Sequence, residues 1–375
     1  MSNSEVLVLG GGAAGAAAAA HLALRGRDVV LLEARPPGEG KACGGGMAAS
    51  VQRWFPFPLT PCVDQVIDRV GFSWCLEDPV IAELPGSSNF WIVQRARFDA
   101  FLAEQAVAAG ATLRQPCRAA AIERLDDGWQ VRDSDGGVHS ARALVIADGS
   151  ESSFAAGLGL GPPRPRFAST LSVEAEGAVH DGDMARFDFG LVHHGFCWAF
   201  PRRGGWSIGV GTFIGQQEAD TDAVLAALLP SLGVDPSSVQ ARPSRLRLWD
   251  GHHPLHGDGL VAVGDAASLC DPFLAEGLRP SLLSGCRAAD AVDAWLSGER
   301  EALAGYSQTM RREWGDSMAW GRRIAQVFYR VPRVGYQLGV KRPTAPQRIA
   351  QILSGEVGYG DIAQRVIRRL LFQRG

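Results

Sequence analysis

Three glycines and one acid near the start of the chain have the types and spacing of a dinucleotide site. Gly10, Gly12 and Gly15 stand at G-x-G-x-x-G spacing. The first permits a tight turn, the second lets a pyrophosphate approach backbone N–H groups, and the third lets a helix pack close to a strand. Glu33 follows at the end of the next apolar run, where it can accept hydrogen bonds from ribose hydroxyl groups.

The loop over residues 34–47 is a second candidate for ligand contact. Its Gly44, Gly45 and Gly46 allow the backbone to approach a flat or bulky group closely, and Cys43 stands beside them. A flexible linker is the alternative interpretation. Because the loop directly follows a nucleotide-binding strand, we predict that it touches the ligand.

Two aspartates follow apolar strands later in the chain. Asp148 and Gly149 come after the predicted strand 141–147, and Asp265 comes after the predicted strand 259–263. A helix is predicted from about residue 279, so its unpaired N–H groups point toward the same edge. An aspartate at a strand end, followed by a helix N-terminus, suits a ribityl hydroxyl and an electron-rich ring edge.

Parallel and antiparallel sheets are needed to position these residues. The predicted strand 6–9, helix 13–25 and strand 28–32 form a β-α-β unit typical of a parallel sheet. From residue 168 to 212 the pattern changes to alternating strands, which predicts an antiparallel sheet. Phe196, Trp198 and Phe200 share one face of that sheet. An aromatic stripe of this kind belongs to the hydrophobic core more often than to the wall of a binding site.

Composition limits the classes of function. The chain has 375 residues and a formal net charge of −3, which argues against bulk binding of nucleic acid. Its seven cysteines show no metal-ligand spacing, so we expect reduced thiols, no metal and a cytoplasmic location. No apolar run reaches the roughly 20 residues of a spanning helix, and we expect no leader segment before the first strand.

The C-terminal region is basic. From Arg311 onward there are thirteen Arg or Lys residues and four Asp or Glu residues. Helical segments are predicted over 300–329, then a Pro/Gly-broken connector over 331–346, then two more helices. A peripheral contact with an anionic membrane and a helical cap with a solvated basic face are both open. The interleaved apolar residues are Trp314, Trp320, Phe328, Tyr329, Tyr336, Leu370, Leu371 and Phe372.

Several motifs taken together resemble a known group of flavoproteins. The chain is similar to the group that contains the aromatic hydroxylases, and most specifically to the geranylgeranyl reductase family. Beyond the glycine turn with Glu33, the motifs that carry this resemblance are KACGGG (residues 41–46), VQRARFD (93–99), ADG (147–149), GFCWAFPRRGGWSIGVG (195–211) and VGDAASLCDPFLAEGL (263–278).

The resemblance implies bound FAD and a set of site residues. Cys43 and Gly44 would face the flavin as tentative catalytic positions. The substrate-lining residues would be Cys197, Trp198, Phe200 and Leu274. The cofactor-binding residues would be Gly10, Gly12, Ala13, Ala14, Gly15, Glu33, Ala34, Arg35, Cys43, Gly44, Arg95, Ala119, Asp148, Gly149, Gly264, Asp265, Gly277 and Leu278.

The implied fold is α/β. A Rossmann-like FAD-binding domain with a parallel central sheet (residues 1–75, 93–165 and 255–300) is interleaved with an antiparallel-sheet substrate domain. The substrate domain would comprise residues 76–92 and 166–254, and residues 301–375 would form a helical region.

The implied reaction is reduction of isolated C=C bonds in an isoprenoid chain by hydride transfer from flavin N5. NADPH or a ferredoxin would supply electrons, and Cys43 or a water molecule would supply the proton. A monooxygenase or halogenase-like enzyme on the same scaffold is the alternative, and a flavin carrier without turnover is a third interpretation. The oligomeric state is left open.

Two departures from the family pattern bear on this resemblance. The family usually has Thr-Gly-Glu-Gly where this chain has Leu274-Ala275-Glu276-Gly277, so bulk is added close to the predicted flavin. The family also carries an arginine shortly after Asp148-Gly149, and this chain has none there.

Overall fold

Three β-sheets and a helical C-terminal region form the fold in this computed structural model, which describes residues 2–84, 89–177, 181–213 and 220–372. In chain order the strands are β1 (Ser2–Leu9), β2 (Val29–Leu32), β3 (Gly46–Ala48), β4 (Val63–Ile67), β5 (Arg69–Trp74), β6 (Glu77–Glu83), β7 (Phe90–Val93), β8 (Thr112–Arg114), β9 (Ala119–Leu125), β10 (Gly128–Asp133), β11 (Val138–Ile146), β12 (Arg166–Glu176), β13 (Met184–Phe189), β14 (Gly195–Arg202), β15 (Gly205–Thr212), β16 (Arg242–Leu248), β17 (His256–Gly257) and β18 (Leu260–Ala262). The α-helices are α1 (Ala13–Leu24), α2 (Arg95–Ala108), α3 (Phe154–Gly157), α4 (Thr221–Ser231), α5 (Leu278–Leu296), α6 (Ala302–Met310), α7 (Asp316–Arg330), α8 (Pro332–Gly335), α9 (Ala345–Leu353) and α10 (Tyr359–Phe372).

The first sheet confirms the predicted parallel core. Its strands lie in the order β17-β18-β11-β1-β2-β8, and β9 and β10 extend it from β11. Strands β8, β2, β1, β11 and β18 are parallel because the segments that connect them cross over the sheet. Leu9 pairs with both Leu32 and Ile146, and Ile146 pairs with Ala262. The residues that follow these strands therefore meet at one edge.

The second sheet is almost entirely antiparallel, in the order β16-β12-β15-β14-β13-β5-β6. The predicted boundary at residue 75 must move, because β5 pairs with both β6 and β13 in this sheet. Residues 63–74 form two strands, β4 and β5, which belong to different sheets. Strand β4 instead joins β7 and β3 in a small third sheet.

Small residues bring the helices of the first layer close together. Helix α1 packs against α5 and α2, and its alanines are almost fully buried. A Cβ added to Gly285 on α5 would lie 2.3 Å from the backbone oxygen of Ala14. The Ala- and Gly-rich composition of both helices therefore sets their separation.

The C-terminal region differs from its prediction in two respects. Part of the expected connector is helical, because α8 and a π-helical turn at Tyr336–Val340 lie within it. Its aromatic residues are mainly core: Trp314, Phe328, Tyr329 and Tyr336 are all buried, so they cannot edge a membrane-facing helix. The side chains predicted at residues 370–372 lie outside the described ones. Among the described helices, none combines the length and apolar character needed to cross a bilayer.

Candidate functional site

A cavity of about 620 Å³ opens between the edge of the first sheet and the aromatic face of the second. It brings together most of the site residues predicted from the sequence. Those that line it are Gly10, Gly12, Ala13, Ala14, Glu33, Ala34, Arg35, Cys43, Gly44, Arg95, Ala119, Asp148, Gly149, Trp198, Phe200, Asp265, Leu274, Gly277 and Leu278.

Three predicted residues do not line the cavity, and each has a packing role instead. Cys197 is fully buried on the opposite face of β14, among Val173, Ile208 and Val210, because successive side chains of a strand alternate between faces. Burial raises the pKa of its thiol well above the usual range. Gly15 and Gly264 allow close packing, since a Cβ on Gly15 would lie 1.9 Å from Gly10 O and one on Gly264 would lie 2.9 Å from Ala14 Cβ.

The glycine turn leads from β1 directly into α1. Gly10 has φ +105°, and a Cβ there would lie 2.3 Å from Ala147 O, so the turn requires glycine. No side chain caps the start of α1, which leaves its first N–H groups facing the cavity. Glu33 is buried beside this turn. Its Oε2 accepts from Gly11 N at 2.5 Å, and its Oε1 accepts from Arg35 N at 2.8 Å. A carboxylate offers about four acceptor positions, so capacity for a ribose hydroxyl is left over.

The loop that carries Cys43 and Gly44 lies between the glycine turn and the aromatic face. A Cβ on Gly44 would lie 2.9 Å from Trp198 Nε1 and 3.0 Å from the Phe200 ring. On the other side, the Arg95 guanidinium forms two hydrogen bonds with Asp99, with 2.8 Å between Arg95 Nη2 and Asp99 Oδ2, and it interacts electrostatically with Cys43. Burial alone would lower the pKa of Arg95, but these two partners raise it above its ordinary value.

An ion pair links this loop to the end of β18. Lys41 Nζ lies 2.6 Å from Asp265 Oδ2 and 3.4 Å from Ser150 Oγ, and both Lys41 and Asp265 line the cavity. Asp265 is therefore in the predicted position but has a cationic neighbour that the sequence analysis did not assign. A ligand hydroxyl group that donates a hydrogen bond to this carboxylate shares it with Lys41.

The turn after β11 contains an unsatisfied group. Asp148 Oδ1 is buried and has no hydrogen-bond partner among the described residues, and burial raises the pKa of this carboxyl. This chain lacks the arginine that the family has after Asp148-Gly149, but an arginine of the second sheet binds the same turn. Arg247 on β16 donates from Nε to Ser150 O at 2.6 Å and from Nη2 to Ser152 O. Burial lowers the pKa of Arg247, and the charges of Asp148 and Asp265 oppose that effect.

The aromatic face forms the apolar part of the cavity. Phe196, Trp198 and Phe200 point into it as their alternation predicts, and the rings of Phe90, Phe187 and Phe213 surround them. Phe187 lies 5.2 Å from Phe200 and 5.5 Å from Phe196, measured between ring centroids. Trp198 Nε1 is buried without a hydrogen-bond partner among the described residues. The wall is thus apolar apart from one free donor.

The segment that leads into α5 is held by residues that the sequence analysis did not identify. Asp271 is fully buried, and its Oδ1 accepts from Phe273 N at 2.7 Å and Leu274 N at 3.1 Å. Tyr359 from α10 donates its hydroxyl to Asp271 Oδ2 at 2.6 Å. This contact joins positions far apart in sequence, so spacing alone could not reveal it.

Glu276 in the same segment is buried and lines the cavity. Its Oε2 lies 2.7 Å from Arg279 Nη2. Burial raises the pKa of Glu276 to about 7, although Arg279 opposes the shift. The guanidinium of Arg279 is stacked over Trp314 at 5.1 Å, so the C-terminal helices also brace this part of the wall.

A polar cluster lies beside residues 117–120 of the cavity wall. His139 Nε2 is 2.9 Å from Asp133 Oδ2, and Cys117 donates to that same oxygen at 3.4 Å. Asp133 Oδ1 accepts from the backbone N–H groups of Asp135 and Gly137. Burial raises the pKa of Cys117 to about 11, and the hydrogen bond from His139 lowers that of Asp133. These mutual hydrogen bonds account for the cluster without a metal.

Comparison with known proteins agrees with this geometry. A family model described as FAD dependent oxidoreductase matches residues 5–58 and 81–295. The chain is 31% identical to digeranylgeranylglycerophospholipid reductase 1 of Methanothermobacter thermautotrophicus over 342 residues, which cover 84% of each protein. Its structure superposes on a geranylgeranyl bacteriochlorophyll reductase-like protein of Thermoplasma acidophilum with a TM-score of 0.78 and 23% identity, covering 88% of each chain.

A flavin-dependent brominase also shares the architecture, with a TM-score of 0.71 and 16% identity over 98% of this chain and 100% of that one. At these low identities the two solved structures show the fold alone. The family model and the 31% identical relative go further, since each matches well over half of the chain. The chain therefore belongs to the geranylgeranyl reductase family of FAD-dependent oxidoreductases.

Proposed function

We propose that this protein uses FAD to reduce isolated C=C bonds of a geranylgeranyl-type chain carried by a lipid. The observation that supports this most is a single cavity with two chemically different parts. One part is lined by the glycine turn and helix N-termini, the other is the aromatic face, and Cys43 and Gly44 lie between them. The name of the Methanothermobacter relative supports a geranylgeranylated glycerophospholipid as the substrate class.

The residues present are suited to FAD. The turn at Gly10 and the open start of α1 would take the pyrophosphate, and Glu33 would take the adenosine ribose. Asp265 would bind the ribityl chain, and the N–H groups at the start of α5 would face the ring. The unpartnered oxygen of Asp148 supports this fit, because a buried carboxylate oxygen without a hydrogen bond is costly unless a ligand donates to it. When bound, FAD supplies a hydride from N5 of its reduced ring.

The protein's own contribution to this reaction is position and exclusion of water. An isolated alkene has no carbonyl that a side chain could polarise, so orientation in a dry site must provide most of the rate. The rings of Phe196, Trp198 and Phe200 would hold the chain by burial of apolar surface, at about 25 cal/mol per Å². The proton for the second carbon would come from Cys43 or from water. Cys43→Ala separates these two sources, because only the first predicts loss of turnover with FAD binding kept.

An anaerobic turnover experiment tests the proposal. The FAD-loaded protein is reduced with dithionite and mixed with a geranylgeranylated glycerophospholipid in detergent, while flavin absorbance and product mass are followed. Reoxidation with two added hydrogens per reduced bond is expected. Flavin that stays reduced until air is admitted, with release of peroxide, would instead favour the monooxygenase or halogenase-like alternative.

Three finer points belong to the same proposal. NADPH or a ferredoxin delivers the electrons, and stopped-flow reduction of the bound flavin by each donor distinguishes them.

The domain division is the second point. Residues 1–68, 93–165 and 255–300 form the FAD-binding part. Residues 69–75 belong to the antiparallel-sheet part together with residues 76–92 and 166–254. The C-terminal helical region, residues 301–375, makes a peripheral membrane contact through its basic part, from Arg311 onward.

A further inference from the structure

Exposed apolar side chains are concentrated on one short segment of the C-terminal region. Val327, Val331, Val334 and Leu338 have relative exposures of 69%, 48%, 52% and 54%. We call these four residues the apolar ridge. Water-exposed aliphatic side chains scattered singly need no explanation, but a concentration of four within twelve residues suggests a partner.

The segment beneath the ridge is firmly attached to the second sheet. Tyr336 is fully buried and donates its hydroxyl to Asp78 O at 2.7 Å and Phe72 O at 3.2 Å. Gln337 and Lys341 also bind the Asp78 carboxylate. The inward positions of this segment are therefore already filled by Tyr336 and its neighbours, and the ridge faces outward from a fixed base.

The surroundings of the ridge are cationic. Residues 317–355 contain seven Arg or Lys residues and no Asp or Glu, although the whole chain has a net charge of −3. Arg330, Arg333 and Arg342 are exposed, and no ion pair joins them to another residue in the described part of the chain. Exposed aliphatic groups flanked by unpaired guanidinium groups match a surface with anionic head groups over an apolar interior.

We propose that the apolar ridge and its flanking arginines are the surface by which this protein rests on an anionic lipid membrane. The ridge side chains enter the acyl boundary, and the arginines contact lipid phosphates. The choice of a membrane rests on the proposed function, because a geranylgeranylated lipid must leave a bilayer to be reduced.

The position of the ridge suits that delivery. On the inner side of the same segment, Phe328 contacts Phe189 with 5.3 Å between ring centroids. Phe189 in turn lies 5.8 Å from Phe196, which lines the cavity. Two aromatic contacts therefore separate the membrane-facing segment from the wall that would hold the isoprenoid chain.

Co-sedimentation with vesicles tests the surface without any need for turnover. The full-length FAD-loaded protein is mixed with phosphatidylcholine vesicles that contain or lack phosphatidylglycerol. The ridge variant carries Val327→Ser, Val331→Ser, Val334→Ser and Leu338→Ser, and its control carries Leu24→Ser, Val107→Ser and Leu125→Ser, which are exposed aliphatic residues elsewhere. We expect the wild type to prefer anionic vesicles and the ridge variant to partition about tenfold more weakly, with the control unchanged.

A charge variant and its control complete the experiment. Arg330→Gln with Arg333→Gln should weaken binding to anionic vesicles, whereas Arg132→Gln with Arg142→Gln should not. Equal partitioning of the ridge variant and the wild type, or no preference for anionic lipid, would overturn the proposal. So would a wild-type dimer that the ridge variant converts to a monomer in light scattering, because the ridge would then be a contact between two copies of the chain.

Activity on two forms of one substrate keeps this proposal distinct from the proposed function. If both are right, the ridge variant reduces detergent-dispersed lipid at the wild-type rate and vesicle-embedded lipid more slowly. If the wild type reduces neither form yet binds anionic vesicles through the ridge, the proposed function fails and the docking surface stands.

Discussion

At the scale of one residue, Gly44 occupies a position in the cavity wall that has no room for a larger side chain. Its backbone faces the rings of Trp198 and Phe200, and no positive φ is involved, so the requirement for glycine is one of space. The glycines of this loop predict a close approach to a ligand. The structure adds that two side chains of the second sheet already make such an approach, and the loop is therefore clamped between the two parts of the cavity.

Replacement of Gly44 by alanine should disturb both stability and catalysis. The added Cβ would lie 2.9 Å from Trp198 Nε1 and 3.0 Å from the Phe200 ring, so one partner has to shift. We expect a loss of about 1–3 kcal/mol in the free energy of unfolding, as for overpacked cores. Urea denaturation followed by tryptophan fluorescence measures this loss, and single-turnover flavin reoxidation measures the effect on substrate reduction.

Gly305→Ala is a suitable control, because a Cβ there meets no atom within 4 Å and the residue lies inside α6. It should match or slightly exceed the wild type in stability. Wild-type stability together with an unchanged reoxidation rate in the Gly44→Ala protein would show that the loop is not confined as described.

Single residues of the candidate site can be predicted where their spacing along the chain is itself the signal of the site. The glycine turn and Glu33 are found this way because the turn, helix and strand are local. Cys197 was misplaced, although strand alternation already separates it from Trp198. Arg247 and Asp271 were missed because their contacts depend on how distant elements come together, and sequence spacing does not record that.

At the scale of elements, the packing of α1 against α5 buries a titratable side chain. His21 is 8% exposed, its Nε2 lies 3.2 Å from Cys286 Sγ, and its ring centroid lies 5.3 Å from that of Phe55. Burial, helped by the nearby charge of Arg25, lowers the pKa of His21 from 6.5 to about 4. The neutral imidazole is thus built into the interface of these helices.

The stability of the protein should therefore fall between pH 6.5 and pH 4. Folding lowers the pKa of His21. Over this pH range the unfolded chain therefore binds a proton on His21 that the folded chain does not bind. The stabilisation is fully present above pH 6.5 and is lost as the pH falls toward 4. The shift corresponds to about 3 kcal/mol at most. Urea denaturation at pH 7 and pH 5 should show a smaller decrease for His21→Gln than for the wild type.

His193→Gln provides the comparison, because His193 is exposed on a turn of the second sheet. Its stability profile should follow that of the wild type. If His21→Gln and the wild type lost equal stability between pH 7 and pH 5, other groups would control the acid response and the burial of His21 would be irrelevant to it.

Elements were predictable where hydrophobic periodicity is strong, as in the β-α-β unit and the strands of the second sheet. The expected connector over 331–346 was wrong in part. Proline and glycine there indicate a break, but burial of Tyr336 against β5 and β6 supports helical turns between the breaks. Tertiary packing overrides local preference at such places.

At the scale of the whole molecule, the C-terminal helices brace the cavity from outside. Trp314 donates to Leu269 O at 2.8 Å, Tyr329 to Phe273 O at 2.9 Å, and Tyr359 to Asp271 Oδ2 at 2.6 Å. All three acceptors belong to the segment that precedes α5. The C-terminal region therefore positions the segment that carries Leu274 and Glu276.

Loss of one of these hydrogen bonds should weaken FAD binding from a distance. Tyr359→Phe removes the donor to the buried Asp271 carboxylate, which should cost about 1–3 kcal/mol of stability. The freed carboxylate also holds the N–H groups of Phe273 and Leu274, so the wall next to the predicted ring position should loosen. We expect a higher dissociation constant for FAD, measured by fluorescence titration of the apoprotein, alongside the loss of stability.

Tyr336→Phe separates this effect from general destabilisation. Its hydroxyl binds Phe72 O and Asp78 O, and neither of these residues lines the cavity. This variant should lose stability to a similar degree but bind FAD as the wild type does. If both variants weakened FAD binding equally, the loss would follow from overall stability alone. If Tyr359→Phe bound FAD normally, the C-terminal helices would cover the site without positioning it.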